Sequence, residues 1–117
     1  MIKVSRIYDQ SVDSGQYKVF VDRLWPRGIS KEKASWNEWM KEVAPSDELR
    51  KWYNHDHEKW SEFKLRYKEE LGSKTDLLKK LKMLEKEHCT LTLLYSSKEE
   101  KYNNAYALKE ILDGFSG

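Results

Sequence analysis

The sequence predicts an α/β domain: a small mixed sheet of about three strands packed with about five helices, in the order β-β-α-α-α-α-β-α. Short β-branched and aromatic runs stand near residues 2–8, 17–24 and 90–95. Between the second and third of these runs, apolar residues recur at helical spacing. The length of 117 residues suits one domain with a single core, so residues 1–117 are read as one unit. Only 38% of residues are apolar, but five Trp, seven Tyr and three Phe compensate, since each ring buries about 150–250 Å².

Ile2 to Tyr8 reads as the first strand, and the Ser, Asp and Gly residues between Asp9 and Gln16 as a turn. Tyr17 to Leu24 reads as the second strand, with Val19, Phe20 and Val21 apolar on both faces, as in a covered central strand. The connection is too short for a helical crossover, which predicts a hairpin. From Ser30 to Glu87 the pattern is helical. Trp36, Trp39, Met40 and Val43 recur at helical spacing and end at Pro45. Ser46 caps a short helix through Tyr53, and Asp56 caps the next. Trp60, Phe63, Tyr67 and Leu71 form one stripe that stops at Gly72, a good residue just past a helix end. Thr75 or Ser73 starts another helix, with Leu77, Leu78, Leu81 and Leu84 inward. Thr90 to Tyr95 is the third strand, and a last helix runs from about Asn104 to Asp113 before Gly114. The helical excursion permits the second and third strands to pair in parallel.

Charged residues make up 36% of the chain, yet the net charge is only +2. Such a mixed surface lacks the one-sided basic field of a strong nucleic-acid binder, and nucleic acid is not favoured as a partner. Lys79, Lys80, Lys82 and Lys86 share their helix with Glu85 and Glu87 and read as a solvated face. The single Cys89 excludes an internal disulfide and a cysteine metal cluster, and its place before an apolar run predicts a buried thiol. His55 and His57 flank Asp56, but only His88 and Cys89 could join them, so no metal site is expected. No apolar run approaches the length of a membrane span and no signal segment is visible. The expectation is a cytoplasmic protein with no membrane partner and no cofactor.

Ligands of open α/β sheets bind beyond the carboxyl ends of parallel strands, and two segments answer to that place. Val21-Asp22-Arg23-Leu24-Trp25-Pro26-Arg27-Gly28 leaves the second strand, and Tyr95-Ser96-Ser97-Lys98 leaves the third, with Asn103-Asn104 opening the last helix. If those strands are neighbours, the segments converge on one pocket. Arg23 and Arg27 offer planar forks suited to phosphate or carboxylate, and Trp25 a flat wall for a ring. Tyr95, Ser96, Asn103 and Asn104 complete the candidate ligand-binding set. Asp22 is a weak catalytic candidate, able to act as a base or to orient an arginine. Asn103 also suits the helix cap, a role that competes with anion binding at the same donors.

The eight-residue run at Val21–Gly28 resembles the signature of the YeaO-like branch of the domain-of-unknown-function 488 family of bacterial proteins. The resemblance continues through Ala44-Pro45-Ser46, Glu48–Tyr53, Trp60, Phe63, Arg66-Tyr67, Glu70-Leu71, Thr92–Ser96, Asn103 and Ala105. Relatives commonly carry Asn-His where this chain has Asn103-Asn104, so no role for an imidazole is carried over. The family implies a fold and no established activity. Because relatives share Arg66, the resemblance also suggests a structural clamp from Arg66 toward Asp22.

Two functional readings follow. One is a pocket, in an enzyme or a sensor, for a small anionic ligand, nucleotide-like ligands included. The alternative is a non-enzymatic module that binds protein or nucleic acid through exposed Trp and Lys residues. No Ser/His/Asp pattern, Gly-rich phosphate loop or acid pair of clear role is present, so the sequence assigns no reaction. It leaves the oligomeric state open as well.

Overall fold

A strand buried at every position, β4 (Leu91–Tyr95), is the element on which the sheet is built. The computed structural model describes residues 1–8, 17–34, 36–54, 56–99 and 101–115. β1 (Ile2–Arg6) lies parallel to β4, with Ile2 opposite Leu91 and Arg6 opposite Tyr95. On the other side β2 (Tyr17–Phe20) runs parallel from Tyr17 opposite Leu91 to Phe20 opposite Leu94. A two-residue strand, β3 (Glu38–Trp39), extends β2, giving a parallel sheet in the order β1-β4-β2-β3.

The α/β class and the approximate element counts agree with the sequence reading, but the pairing differs. The expected hairpin does not form, because β4 inserts between β1 and β2 and all three run the same way. The length rule behind the hairpin overlooked how short these strands are. The residues between Arg6 and Tyr17 can reach roughly 33 Å when extended, about twice the length of a five-residue strand. The turn expected at residues 9–16 lies outside the described residues.

Among the described residues there are four α-helices and three single turns of 3-10 helix. The stretch around Trp36 and Trp39 is not helical. Trp39 joins the sheet, and only Lys41–Val43 makes a helical turn. Short apolar runs satisfy either period, and here the aromatics cover the sheet instead. Trp36 stacks on Phe20 with ring centroids 5.1 Å apart, and Ile7 and Leu94 pack with them on that face.

The other face carries the helices α1 (Asp47–Tyr53), α2 (Trp60–Leu71), α3 (Thr75–His88) and α4 (Asn104–Asp113). Phe63, Tyr67 and Leu71 of α2, Leu78 and Leu81 of α3, and Leu108 and Leu112 of α4 pack against Val19, Val21, Leu91 and Leu93. Ser46 caps α1 by accepting from the Leu49 amide at 3.1 Å, as its position before the helix predicts. Asp56 caps the 3-10 turn His57–Lys59, which runs directly into α2. Gly72 ends α2 with an ordinary right-handed backbone, so its left-handed freedom goes unused; a Cβ there would lie 3.1 Å from the Glu69 carbonyl. Cys89 is exposed rather than buried, at φ 65° where the chain turns out of α3 into β4. Lys80 pairs with Glu38 and Lys82 with Glu85, consistent with a solvated helix face. No group of metal-ligating side chains occurs among the described residues, and no helix there is long and apolar enough to cross a membrane.

Candidate functional site

Because β2 and β4 are parallel neighbours, the segments leaving their carboxyl ends lie side by side. Between them and α1 opens a cavity of about 470 Å³. Asp22, Arg23, Trp25, Arg27, Ser96, Asn103 and Asn104 all contribute to its wall. Tyr95 does not: it is buried at the end of β4, where its carbonyl accepts from the Ile7 amide at 2.7 Å.

Asp22 is bound from two directions. Its Oδ2 accepts from the Ser96 amide at 2.9 Å and from the Ser96 hydroxyl at 2.6 Å. Its Oδ1 accepts from Asn104 Nδ2 at 3.1 Å, and the same amine donates to the Val21 carbonyl at 3.2 Å. Burial pushes the Asp22 carboxyl above its ordinary pKa, against the pull of the Ser96 and Asn104 hydrogen bonds and of the Arg50 charge. These bonds join the exits of β2 and β4 to the first turn of α4.

Asn103 caps α4 through Oδ1, which accepts from the Tyr106 amide at 3.0 Å, while its Nδ2 donates to the Glu99 carbonyl at 2.9 Å. Buried and used at both ends, Asn103 shapes the wall more than it offers groups to the cavity. Glu99 also takes the Lys101 and Tyr102 amides and the His57 ring, which ties its side chain to the residues just before α4 and to the turn before α2. The same contacts, led by the Lys101 amide, hold its carboxyl below the usual range.

The cations are held loosely. Arg23 donates to the Pro45 carbonyl at 3.4 Å and the Ala44 carbonyl at 3.3 Å, leaving most of its five donors unused. Arg27 stands exposed in a turn completed by Gly28 at φ 81°, and its own carbonyl accepts from the Tyr8 hydroxyl at 2.7 Å. Trp25 anchors that turn by donating Nε1 to the Ile29 carbonyl at 2.6 Å, with its ring edge-on to Trp36 and Trp39.

Arg66 does not clamp Asp22. Its Nε donates to Glu62 at 3.1 Å one turn back along α2, and its guanidinium lies 4.1 Å from the centre of the Trp52 ring. Phe63 and Tyr67 take the core side of α2, which turns Arg66 toward a separate, acidic cleft beside α1. His55 lies outside the described residues, and His57 pairs with Glu99 at 2.9 Å.

Sequence reasoning missed Lys51 and Tyr53 of α1 and Tyr8 after β1, which line the cavity together with Arg50. A faint signal was present: Arg50 and Lys51 sit between the buried Leu49 and Tyr53, on a helix that begins directly after the carbonyls Arg23 reaches. Tyr53 donates to the Tyr102 carbonyl at 3.0 Å, and its phenol is pushed up to about 12, by burial first and then by the charges of Glu99 and Asp56. It is a fixed proton donor at neutral pH.

The chain is similar to known sequences over nearly its whole length. A family model described as the inactive DUF488-N3 subclade, DUF488-N3i, matches residues 1–115. The uncharacterized protein YeaO of Escherichia coli K12 is 40% identical over 111 residues, covering 95% of this chain and 96% of that protein. The uncharacterized protein Rv3073c of Mycobacterium tuberculosis H37Rv is 38% identical over 114 residues, covering 97% and 94%. No solved structure matches.

Proposed function

The chain belongs to the DUF488-N3i family, the inactive DUF488-N3 subclade, and from that premise we propose that it binds a small anionic ligand at the strand ends without transforming it. The observation that carries this reading is an excess of cations. Arg23, Arg27 and Lys51 line one cavity, and none of them has a carboxylate partner among the described residues. Arg50 adds a fourth positive charge, whose ion pair, with Asp47 at 3.3 Å, is exposed, and exposed pairs of this kind contribute little. One carboxylate, Asp22, faces these four. A concave site of one sign focuses its field and draws an anion, and guanidinium forks match phosphate oxygens. The rings of Tyr8 and Trp25 at the same cavity favour a nucleotide-like ligand.

Binding without turnover fits the chemistry of the wall. Among the described residues no histidine or cysteine lines it. Asp22 spends one oxygen entirely on Ser96, so it serves as a fixed acceptor and not as a base.

Thermal unfolding at low salt, with adenosine monophosphate or inorganic phosphate added, tests the reading. A ligand at a hundred times its Kd stabilises the fold by about 2.7 kcal/mol, and the Arg23→Ala, Arg27→Ala double variant should lose that gain. If neither compound stabilises the wild type more than the double variant, the proposal fails.

A further inference from the structure

Asp22 and Asn104 are opposite in character to the cationic residues that line the same cavity, and they bear on the other end of the ligand. A carboxylate offers about four lone-pair directions. Two on Asp22 Oδ2 are taken by Ser96 and one on Oδ1 by Asn104, which leaves one on Oδ1 open. Asn104 is locked in orientation as well. Its Nδ2 faces two acceptors, the Val21 carbonyl and Asp22 Oδ1, so the amide cannot be turned round without setting oxygen against oxygen. The Asn104 Oδ1 therefore remains an acceptor with no partner among the described residues. Both residues line a cavity whose other charged side chains are all positive.

We infer that the ligand is a phosphomonoester carrying a hydroxyl or amino donor, with its phosphate among the arginines and its donor on Asp22 Oδ1 and Asn104 Oδ1. This rests on the anion-binding reading of the same cavity and narrows it. Phosphate suits the wall better than a carboxylate does: a phosphomonoester carries about −1.5 to −2 charge at neutral pH, against four cationic side chains. The donor requirement follows from these two oxygens, because covering Asp22 Oδ1 and Asn104 Oδ1 with an apolar group would strand two acceptors away from water.

The test compares three probes by calorimetry on the intact protein: ribose 5-phosphate, cyclopentylmethyl phosphate and ribose. The second keeps a five-membered ring and the phosphate but has no hydroxyl. Ribose 5-phosphate should bind the wild type at least about tenfold tighter than cyclopentylmethyl phosphate, the value of one hydrogen bond to a charged group, and ribose alone should not bind measurably. In Asp22→Asn the Ser96 donors hold the remaining amide oxygen, so an amine replaces the open acceptor beside the Asn104 amine, and the preference should fall well below tenfold. Equal affinity of the two phosphates for the wild type would overturn the donor requirement and leave the anion site standing. That comparison does not depend on how well the variant folds. If neither phosphate binds, the anion reading itself falls, and this inference with it.

Discussion

Asn104 Nδ2 donates to Asp22 Oδ1 at 3.1 Å across 82 positions of the chain, and so fastens the first turn of α4 to the exit of β2. With the bond from the same amine to the Val21 carbonyl, it sets the width of the cavity on that side. Asn104→Ala removes both donors at once and leaves two half-buried acceptors short of a partner, at a cost of about 1–3 kcal/mol. Thermal unfolding should move down by several degrees, at about 4–8 °C per kcal/mol for a small domain. An unchanged midpoint would show that water replaces Asn104 without loss.

Asp22 makes a prediction in pH. Burial raises its carboxyl above the ordinary 3.8 despite the hydrogen bonds from Ser96 and Asn104. The folded protein therefore keeps this proton to a higher pH than the unfolded chain does. Over the window from about 3.8 up to the raised value the folded state binds more protons, so this group lowers stability as pH increases. Above that window the penalty is fully developed. Urea unfolding of the wild type and Asp22→Asn should show a difference that moves against the wild type as pH rises through the window. A flat difference, or one of opposite slope, contradicts the assignment.

Gly28 tests backbone strain apart from crowding. A Cβ at this position would meet nothing within 4 Å, yet φ is 81°. Gly28→Ala should thus cost about 1–2 kcal/mol through the left-handed backbone alone. It should also weaken phosphate binding, because Arg27 rides on the same turn. Chemical unfolding and the phosphate titration give the two readouts.

Tyr67 is fully buried in α2 and donates its hydroxyl to the Val43 carbonyl. Burial, with the charges of Asp22 and Glu70 adding to it, pushes the phenol far above its ordinary range, so it remains a donor at any accessible pH. Tyr67→Phe keeps the ring and strands the carbonyl, which predicts a loss of about 1–3 kcal/mol with the fold intact. Equilibrium unfolding checks the first part, and an unchanged far-ultraviolet circular dichroism spectrum the second.

Local signals were legible wherever one residue type does one job. Ser46 and Asn103 were recognisable as caps from their position before an apolar period, and both accept the expected amide. The meeting of the Val21–Gly28 segment with Ser96 and Asn104 followed from two strands ending side by side. What escaped were relationships that only assembly creates. Nothing in Ile2–Tyr8 or Tyr17–Leu24 shows that a strand from residues 91–95 will slide between them. The contribution of Arg50 and Lys51 depends on where α1 settles over the strand ends, and helical periodicity says only that these residues face away from the core. Trp39 illustrates a third limit. A residue spaced like a helix face became an edge strand, its indole donating to the Asp22 carbonyl at 2.7 Å.

The central place of β4 bears on how the protein comes off the ribosome. β1 is synthesised before the other described strands, and among them its neighbour is Leu91–Tyr95. At about 5–20 residues per second, Ile2 waits roughly 4–18 s for Leu91 to be added. During that interval both edges of β1 and one edge of β2 stand open to other nascent chains, since only the two-residue pairing of β2 with β3 can form. Folding is therefore a late, nearly all-at-once event, and a chain truncated before Leu91 should collect in chaperone complexes instead of accumulating as a stable fragment.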